Sequence, residues 1–187
     1  MDADTTHSVT LISIVIGLGL TELLMNFHRL LRARAQVRWD GLPLLWTATV
    51  LIFLLNYWWA LIRGLDGSRL AHTAGEYGLL LAHPILLFLL CATVLPRASE
   101  EGIDMRAAYA RERDVFVLLF LLYVIGNWTL AFLIAPVAWA SSTTILRLAA
   151  SALIVSLLLI KNRRWDWVVA AAILVLGASR LTLQDVR

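Results

Sequence analysis

Six long apolar blocks, separated by short polar connections, constrain this chain more than any other feature of its sequence. Each block approaches the ~20 residues that an α-helix needs to cross a bilayer. Because backbone polar groups must be satisfied within a membrane, such blocks fold as helices. Read with a window of about 19 residues, the sequence predicts spans near residues 9–30, 42–62, 77–95, 115–136, 143–160 and 167–183.

Composition favours a membrane protein over a soluble one. Hydrophobic residues make up 60% of the 187 residues and charged residues 16%, with a mean hydropathy of +0.79. An average soluble domain is about 45 to 50% apolar and about 25% charged. The connections are too short to hold a separate domain, so we expect residues 1–187 to form one all-α, polytopic membrane bundle of about six transmembrane helices.

Basic residues set the predicted orientation, because they are retained on the cytoplasmic side of a membrane. The fourth connection, "APVAWASS", has no charge, whereas the odd-numbered connections are basic. We therefore expect both termini outside and the odd-numbered connections inside. A single lysine against fifteen arginines, together with the compactness of the chain, indicates a bacterial plasma (inner) membrane. Eleven of the 16 basic residues lie in or beside the odd-numbered connections: Arg29, Arg32, Arg34, Arg38, Arg97, Arg106, Arg111, Arg113, Lys161, Arg163 and Arg164.

The third connection, residues 97–114, mixes charges of both signs at helical spacing in "RASEEGIDMRAAYARERD". This pattern predicts a short cytoplasmic helix or a helical extension into the fourth span. The segment is either a solvated connector or a docking surface for a cytoplasmic partner or lipid headgroups.

Glu22 lies inside the first span, slightly to the cytoplasmic side of its middle. An unpaired carboxylate at that depth costs at least ~2.5 to 3.5 kcal/mol on insertion scales, so it must be paired, protonated or next to water. At about 100° per residue, Gly19, Glu22, Asn26 and Arg29 share one face of the helix. We expect Glu22 to approach Arg29 directly or through Asn26.

Two further faces of the first helix predict its neighbours. Small residues permit close helix approach, so a stripe of small or polar residues is expected to contact a second helix. The purely apolar face is expected to meet lipid. The stripe consists of Ser13, Gly17, Thr21 and His28, and the apolar face consists of Ile12, Ile16, Leu20, Leu23 and Phe27.

Polar residues recur inside the later spans. We expect Arg147, His83 and Glu76 in the outer third of the membrane, Asn56 and Asn127 in the middle, and Glu22 and Asn26 in the inner half. If their faces converge, they line a polar path across the bilayer. The alternative is that they only hydrogen-bond the helices together, each bond contributing about 0.6 to 2 kcal/mol. The candidate pathway residues are Glu22, Asn26, Arg29, Asn56, His83, Asn127 and Arg147.

His83 carries two interpretations of its own, since Pro84 follows it directly. It is either a proton-relay group or a packed neutral imidazole beside a proline kink.

Motifs for an enzyme, a metal site or a cofactor site do not occur in the sequence. There is no H-E-x-x-H pair, no G-x-S-x-G elbow and no phosphate-binding glycine loop. His28 and His83 lie at opposite ends of their spans, which does not suit a pair of haem ligands. The lone Cys91 excludes an intramolecular disulfide and a cysteine-only metal site. We predict no catalytic residue, metal or cofactor and, because topology explains the net charge of +3, no nucleic-acid partner.

These observations favour a small transporter or channel, in the lipid bilayer, for an ion, a proton or a small solute. A protomer of this size has little interior volume, since protein interiors are close-packed. In this hypothesis Glu22 supplies negative charge or a titratable site, and His83 and Arg147 shape the outer entrance. We expect this transporter or channel to form a homo-oligomer. The alternative is a noncatalytic membrane assembly or interaction subunit, in which the polar residues hold the helices together.

Overall fold

The chain is an all-α protein in its structure, a computed structural model that describes residues 3–64, 74–96, 102–134 and 141–184. A 3-10 turn at Arg34–Gln36 and two short strands, β1 (Val37–Arg38) and β2 (Ile103–Asp104), lie in the described connections. The predicted all-α class is confirmed. The six helices are α1 (Ala3–Arg32), α2 (Gly41–Gly64), α3 (Ala74–Thr93), α4 (Met105–Ile134), α5 (Ser142–Leu159) and α6 (Arg163–Gln184).

Within the described ranges, four helices are long and apolar enough to cross a membrane. α3 contributes a shorter apolar stretch, Gly78–Thr93, and α6 begins with Arg163, Arg164 and Asp166. The structure therefore supports a membrane protein, while the count of six spans and the outward orientation of both termini stay predictions. The four candidate spans are Val9–Arg32, Gly41–Leu61, Met105–Phe132 and Ser142–Leu159.

Helix packing places α1 mainly against α3, and α2 mainly against α6. α4 lies between α3 and α5, and α5 also contacts α6. Large apolar side chains such as Leu18, Ile125 and Val175 point away from these contacts and are more than half exposed. In a bilayer, lipid chains cover such faces.

α1 turns a different face to the bundle from the one that its sequence predicts. Ile12, Ile16 and Leu23, on the predicted lipid face, are buried against the other helices. Gly17 faces open space, and Thr21 and His28, on the predicted contact stripe, are exposed. The predicted assignment of these two faces was therefore wrong.

The local chemistry of α1 explains this orientation. A Cβ added at Gly19 would lie 3.4 Å from Phe88 Cα, so this glycine lets α1 and α3 approach closely. The apolar residues beside Gly19 then fill the contact. The hydroxyl of Thr21 donates to the Gly17 carbonyl at 2.8 Å, so it is satisfied within its own helix and needs no protein neighbour.

The first, third and fifth connections meet at one end of the bundle, called here the paired end. β1 and β2 pair in parallel and join the first connection to the third. Arg163 forms an ion pair with Asp40, and Lys161 lies 3.0 Å from Asp114. This grouping agrees with the prediction that these connections share one side of the membrane; that the side is cytoplasmic stays a prediction.

The charged connector continues directly into α4, as the helical extension predicted from its charge spacing. Residues 97–101 of that connector lie outside the described residues. The Asp104 carboxylate accepts hydrogen bonds from the backbone N–H groups of Ala107 at 3.0 Å and Arg106 at 2.9 Å, so it caps the helix. These donors, first Ala107, and the nearby Arg38 guanidinium lower the pKa of Asp104 below its ordinary value of 3.8.

Aromatic rings fill the core between α2 and α4. The centroid of Trp46 lies 5.1 Å from that of Phe116 and 5.7 Å from that of Phe120, and the Phe53 and Phe120 centroids are 5.5 Å apart. Trp46, Phe116 and Phe120 are almost completely buried. We call these four residues the aromatic layer. It fills the space between α2 and α4 with packed apolar rings.

Candidate functional site

Each of the six helices carries one buried side-chain polar atom with no hydrogen-bond partner among the described residues. Native interiors satisfy the large majority of such atoms, so their recurrence on every helix calls for an explanation such as bound water or solute. The atoms are Asn26 Oδ1, Asn56 Oδ1, His83 Nδ1, Asn127 Oδ1, Arg147 Nε and Arg180 Nε.

Five of these six residues, one each from α2 to α6, belong to one connected region in the half of the bundle away from the paired end. We call them the polar cluster: Asn56, His83, Asn127, Arg147 and Arg180. A chain of contacts that involves neighbouring residues connects them, as the next three paragraphs describe.

His83 is 2% exposed and lies between two tyrosine rings. Its ring centroid is 5.2 Å from that of Tyr57 and 4.3 Å from that of Tyr123. A Cβ added at Gly126 would lie 2.9 Å from His83 Nδ1, so the imidazole lies directly against the α4 backbone next to Asn127. Of the two interpretations of His83, this geometry favours the packed imidazole, although Nδ1 lacks a partner among the described residues.

Asn56 links α2 to α6. Its Nδ2 donates to the backbone carbonyl of Gly177 at 3.0 Å and to that of Ile52 at 2.9 Å. Arg180 follows Gly177 by three residues and therefore lies about one turn further along the same side of α6. The amide of Asn56 thus joins two helices with its nitrogen and leaves its oxygen available.

An aromatic contact holds Arg147, and no carboxylate among the described residues pairs with it. Its Cζ lies 5.4 Å from the Trp128 ring centroid, within the range of a cation–π interaction. Trp128 Nε1 donates to Ser151 Oγ at 2.9 Å, which joins α4 to α5. Arg147 and Arg180 interact electrostatically with each other and with Tyr123, so two cations share one buried neighbourhood.

Glu22, Asn26 and Arg29 lie elsewhere. Asn26 Nδ2 donates to Glu22 Oε1 at 3.0 Å, as one of the predicted arrangements requires, but among the described residues Arg29 forms no ion pair with Glu22. Glu22 interacts electrostatically with Cys91. Because Cys91 follows His83 by eight residues in α3, Glu22 lies roughly 12 Å closer to the paired end than the polar cluster does.

The candidate pathway residues therefore fall into two separate groups. Asn56, His83, Asn127 and Arg147, predicted for the outer third and the middle, lie in the polar cluster, and Glu22 and Asn26, predicted for the inner half, form a separate pair on α1. Between the cluster and the paired end, the aromatic layer fills the space between α2 and α4.

A second buried network, at the paired end, was missed by sequence reasoning. Trp46 Nε1 donates to Tyr109 Oη at 3.2 Å, and that hydroxyl donates to Asp166 Oδ2 at 3.3 Å. Arg113 completes the network with two hydrogen bonds to the same carboxylate. The signal in the sequence was a lone carboxylate between two tryptophans, in "RRWDW". Every polar group named here has a partner, which indicates a structural role.

A groove of about 350 Å³ also opens at the paired end, between α2, the end of α3 and the start of α4. Its charged lining residues, Arg111 and Glu112, lie 3.7 Å apart and neutralise each other. The groove is therefore a weaker candidate for a binding site than the polar cluster.

Arg180 was also missed as a site residue, because it entered the sequence argument only as part of the charge distribution. A lone arginine in the apolar run "LGASRLTL" was the available signal. Among the described residues, no group of three or more His, Cys, Asp or Glu side chains is arranged to hold a metal ion.

The chain matches no protein-family model, no curated protein and no solved structure. Its function is therefore inferred from the geometry of these side chains alone.

Proposed function

We propose that this protein is a small membrane transporter whose polar cluster binds an ion or a small polar solute. The observation that carries the proposal is that α2 to α6 each bring one unpartnered buried polar atom to one region. Each such atom costs about 1 to 3 kcal/mol when it stays unsatisfied. Five such costs are large against a typical total stability of about 5 to 15 kcal/mol, so water or solute in the cluster is the simplest compensation.

The aromatic layer favours a carrier over an open channel. A channel needs a continuous polar or water-filled path, whereas Phe53 and Phe120 pack against each other directly below the cluster. A binding site that is closed on one side is the arrangement expected of a carrier in one of its two access states.

The hydrogen bonds between helices bear on the alternative of an assembly subunit. The hydrogen bonds from Asn56 to Gly177 and from Trp128 to Ser151 join helices, and an assembly subunit would need no more than this from them. A cluster with purely structural duties would use its polar atoms in such bonds. Five polar atoms of the cluster take part in no such bond, which favours a solute-binding role.

Flux measurements with purified protein in liposomes test the proposal. The panel consists of protons, alkali cations, chloride, phosphate, small carboxylates and amino acids. Asn127→Leu removes one unpartnered oxygen from the cluster. Thr129→Val is the matched control, because Thr129 lies on the same helix, is exposed and donates only to the Ile125 carbonyl, at 3.0 Å.

We expect saturable flux of at least one member of the panel. Asn127→Leu should lower that flux about tenfold, because the loss of one hydrogen bond to the solute costs about 1.4 kcal/mol, which corresponds to a factor of about ten. Thr129→Val should leave the flux unchanged. Folded, inserted protein that carries no member of the panel would overturn the proposal in favour of an assembly subunit.

A further inference from the structure

We infer that the solute of the polar cluster is an anion, bound through a carboxylate or phosphate group between Arg147 and Arg180. The inference rests on the proposed function in that it names the solute class for the same site. It stands on the distribution of charge in the bundle and on the chemistry of the two guanidinium groups.

The described carboxylates lie away from the two arginines. Five of them form ion pairs at the paired end, and Glu22 is bonded to Asn26. No described ion pair includes Arg147 or Arg180, whereas each has its Nε buried and unpartnered. The side chain of Glu76, near the start of α3, lies outside the described residues. The five paired carboxylates are Asp40, Asp104, Glu112, Asp114 and Asp166.

The two arginines have no counter-ion among the described residues, so the net charge of the cluster favours anions. Arg147 and Arg180 lie close enough for their positive charges to repel each other, and water screens this repulsion less in the partly buried cluster than at an exposed surface. An anion between them replaces the repulsion with two attractions. A metal cation or an ammonium ion would instead add a third positive charge, so the same geometry disfavours cations.

The geometry of the guanidinium groups indicates which class of anion fits between them. A guanidinium is planar, and its N–H groups form a fixed fork that matches two oxygens of a carboxylate or a phosphate. Trp128 covers one face of Arg147 and so helps to fix the orientation of its edge. The oxygens of Asn56 and Asn127 accept hydrogen bonds, from water or from a hydroxyl group of the same solute.

The positions of Arg147 and Arg180 along their helices allow the anion to come from either of two sources. Arg147 lies about 8 Å along the axis from the first residue of α5, and Arg180 about 6 Å from the last residue of α6. A free carboxylate or phosphate ion from solution can reach that level, and so can the phosphate of a lipid headgroup. The experiment therefore has one arm for each source.

The first arm measures thermal unfolding in a neutral detergent with sodium phosphate, sodium succinate or sodium chloride at equal ionic strength. The proteins are the wild type, Arg147→Gln, Arg180→Gln and the charge-matched control Arg164→Gln, whose side chain is exposed at the paired end. We expect phosphate or succinate to raise the Tm saturably relative to chloride. Arg147→Gln and Arg180→Gln should each weaken the binding of that anion about 10- to 100-fold, as expected for the loss of a charged hydrogen-bond donor. The control should bind the anion as tightly as the wild type does.

The second arm places the same proteins in phosphatidylcholine nanodiscs with and without phosphatidylglycerol, without added anions. Stabilisation by phosphatidylglycerol that depends on Arg147 and Arg180, with none by free anions, would support the inference and assign the anion to a lipid headgroup. Stabilisation by free phosphate or succinate supports it with a soluble solute.

Three results would overturn the inference. One is that neither free anions nor phosphatidylglycerol stabilise the wild type. Another is that they stabilise the Arg147→Gln and Arg180→Gln variants equally well. The third is that Glu76→Gln lowers the Tm as much as Arg180→Gln while no anion has an effect, which would reveal an internal ion pair. If the arginine variants fail to fold, the inference is tested by whether phosphate, succinate or phosphatidylglycerol raises the Tm of the wild type.

Binding and flux are separate measurements, so the two proposals can fail separately. Arginine-dependent anion binding without flux of any solute would reject transport and keep the anion site. If the protein carries a cation or a neutral solute and anions do not change that flux, the proposed transport function stands and the proposed anion site is rejected.

Discussion

Arg113 forms a bidentate ion pair with Asp166, in which its Nε and Nη2 each lie 2.8 Å from a carboxylate oxygen. The Asp166 side chain is 3% exposed and that of Arg113 11%. The same Nη2 donates to the Leu157 carbonyl at 2.9 Å, near the end of α5. One guanidinium on α4 therefore holds the ends of α5 and α6 together.

Asp166→Ala should strongly destabilise the protein, because it leaves the Arg113 guanidinium buried without its anion. Removing one partner of a buried pair typically costs about 3 to 5 kcal/mol. Glu112→Ala is the control, since its ion pair with Arg111 is 52% and 78% exposed and such surface pairs contribute at most about 1 kcal/mol. Equilibrium unfolding in mixed detergent micelles measures both, and equal losses would contradict a structural role for the buried pair.

Gly126→Ala should destabilise the bundle, because the new Cβ would lie 2.9 Å from His83 Nδ1. Overpacking of this kind costs about 1 to 3 kcal/mol. Gly17→Ala is the matched change on α1, where nothing lies within 4 Å of the new Cβ, and it should gain about 0.5 to 1 kcal/mol of helix stability. Opposite shifts in Tm confirm the close approach of α3 and α4, and a Gly126→Ala protein as stable as the wild type contradicts it.

Asp104 gives the paired end a predictable response to acid. Its pKa in the folded protein is lowered below 3.8, first by the Ala107 N–H, so the ionised cap stabilises the fold above the ordinary pKa. That stabilisation should be lost as the pH falls through the lowered pKa. Asp104→Asn keeps an oxygen acceptor for the cap but does not titrate. Melting curves from about pH 6 to about pH 3 should show the wild type losing stability faster than Asp104→Asn, and parallel curves would refute this.

Glu22→Gln should leave solute binding and flux unchanged. Glu22 contacts Asn26 on its own helix, and a glutamine oxygen can accept the same hydrogen bond from Asn26 Nδ2. The polar cluster lies roughly 12 Å away along the bundle axis. The variant is measured beside the wild type in the liposome flux assay and the anion-dependent melting assay. Loss of flux in a folded Glu22→Gln protein would place this carboxylate in the transport mechanism after all.

The helices and the grouping of three connections at the paired end followed from the sequence, because apolar length and basic connections are local properties of the chain. The orientation of α1 did not. Periodicity shows that Ile12, Ile16 and Leu23 share a face, but lipid and protein interiors are similarly apolar, so it cannot show which of them that face meets.

The polar cluster was predicted only in part, for a related reason. Asn56, His83, Asn127 and Arg147 were chosen because polar groups inside a membrane are costly, and the structure does bring them into one region. Their separation from Glu22 depends on aromatic packing between α2 and α4. Ion pairs such as Arg163 with Asp40 join residues 123 positions apart, which no local pattern specifies.

Thiol accessibility tests most directly whether the polar cluster is open to water and solute. With Cys91→Ser as background, cysteines are introduced at Asn127, at Asn162 as an exposed position, and at Ile154 as a buried one. A charged maleimide is then applied to the folded proteins in nanodiscs, where the reagent reaches both faces of the membrane. The account predicts labelling at residues 127 and 162, none at residue 154, and protection of residue 127 by the bound anion. A residue 127 thiol as unreactive as that at residue 154 would contradict the account and leave the cluster as a sealed contact between helices.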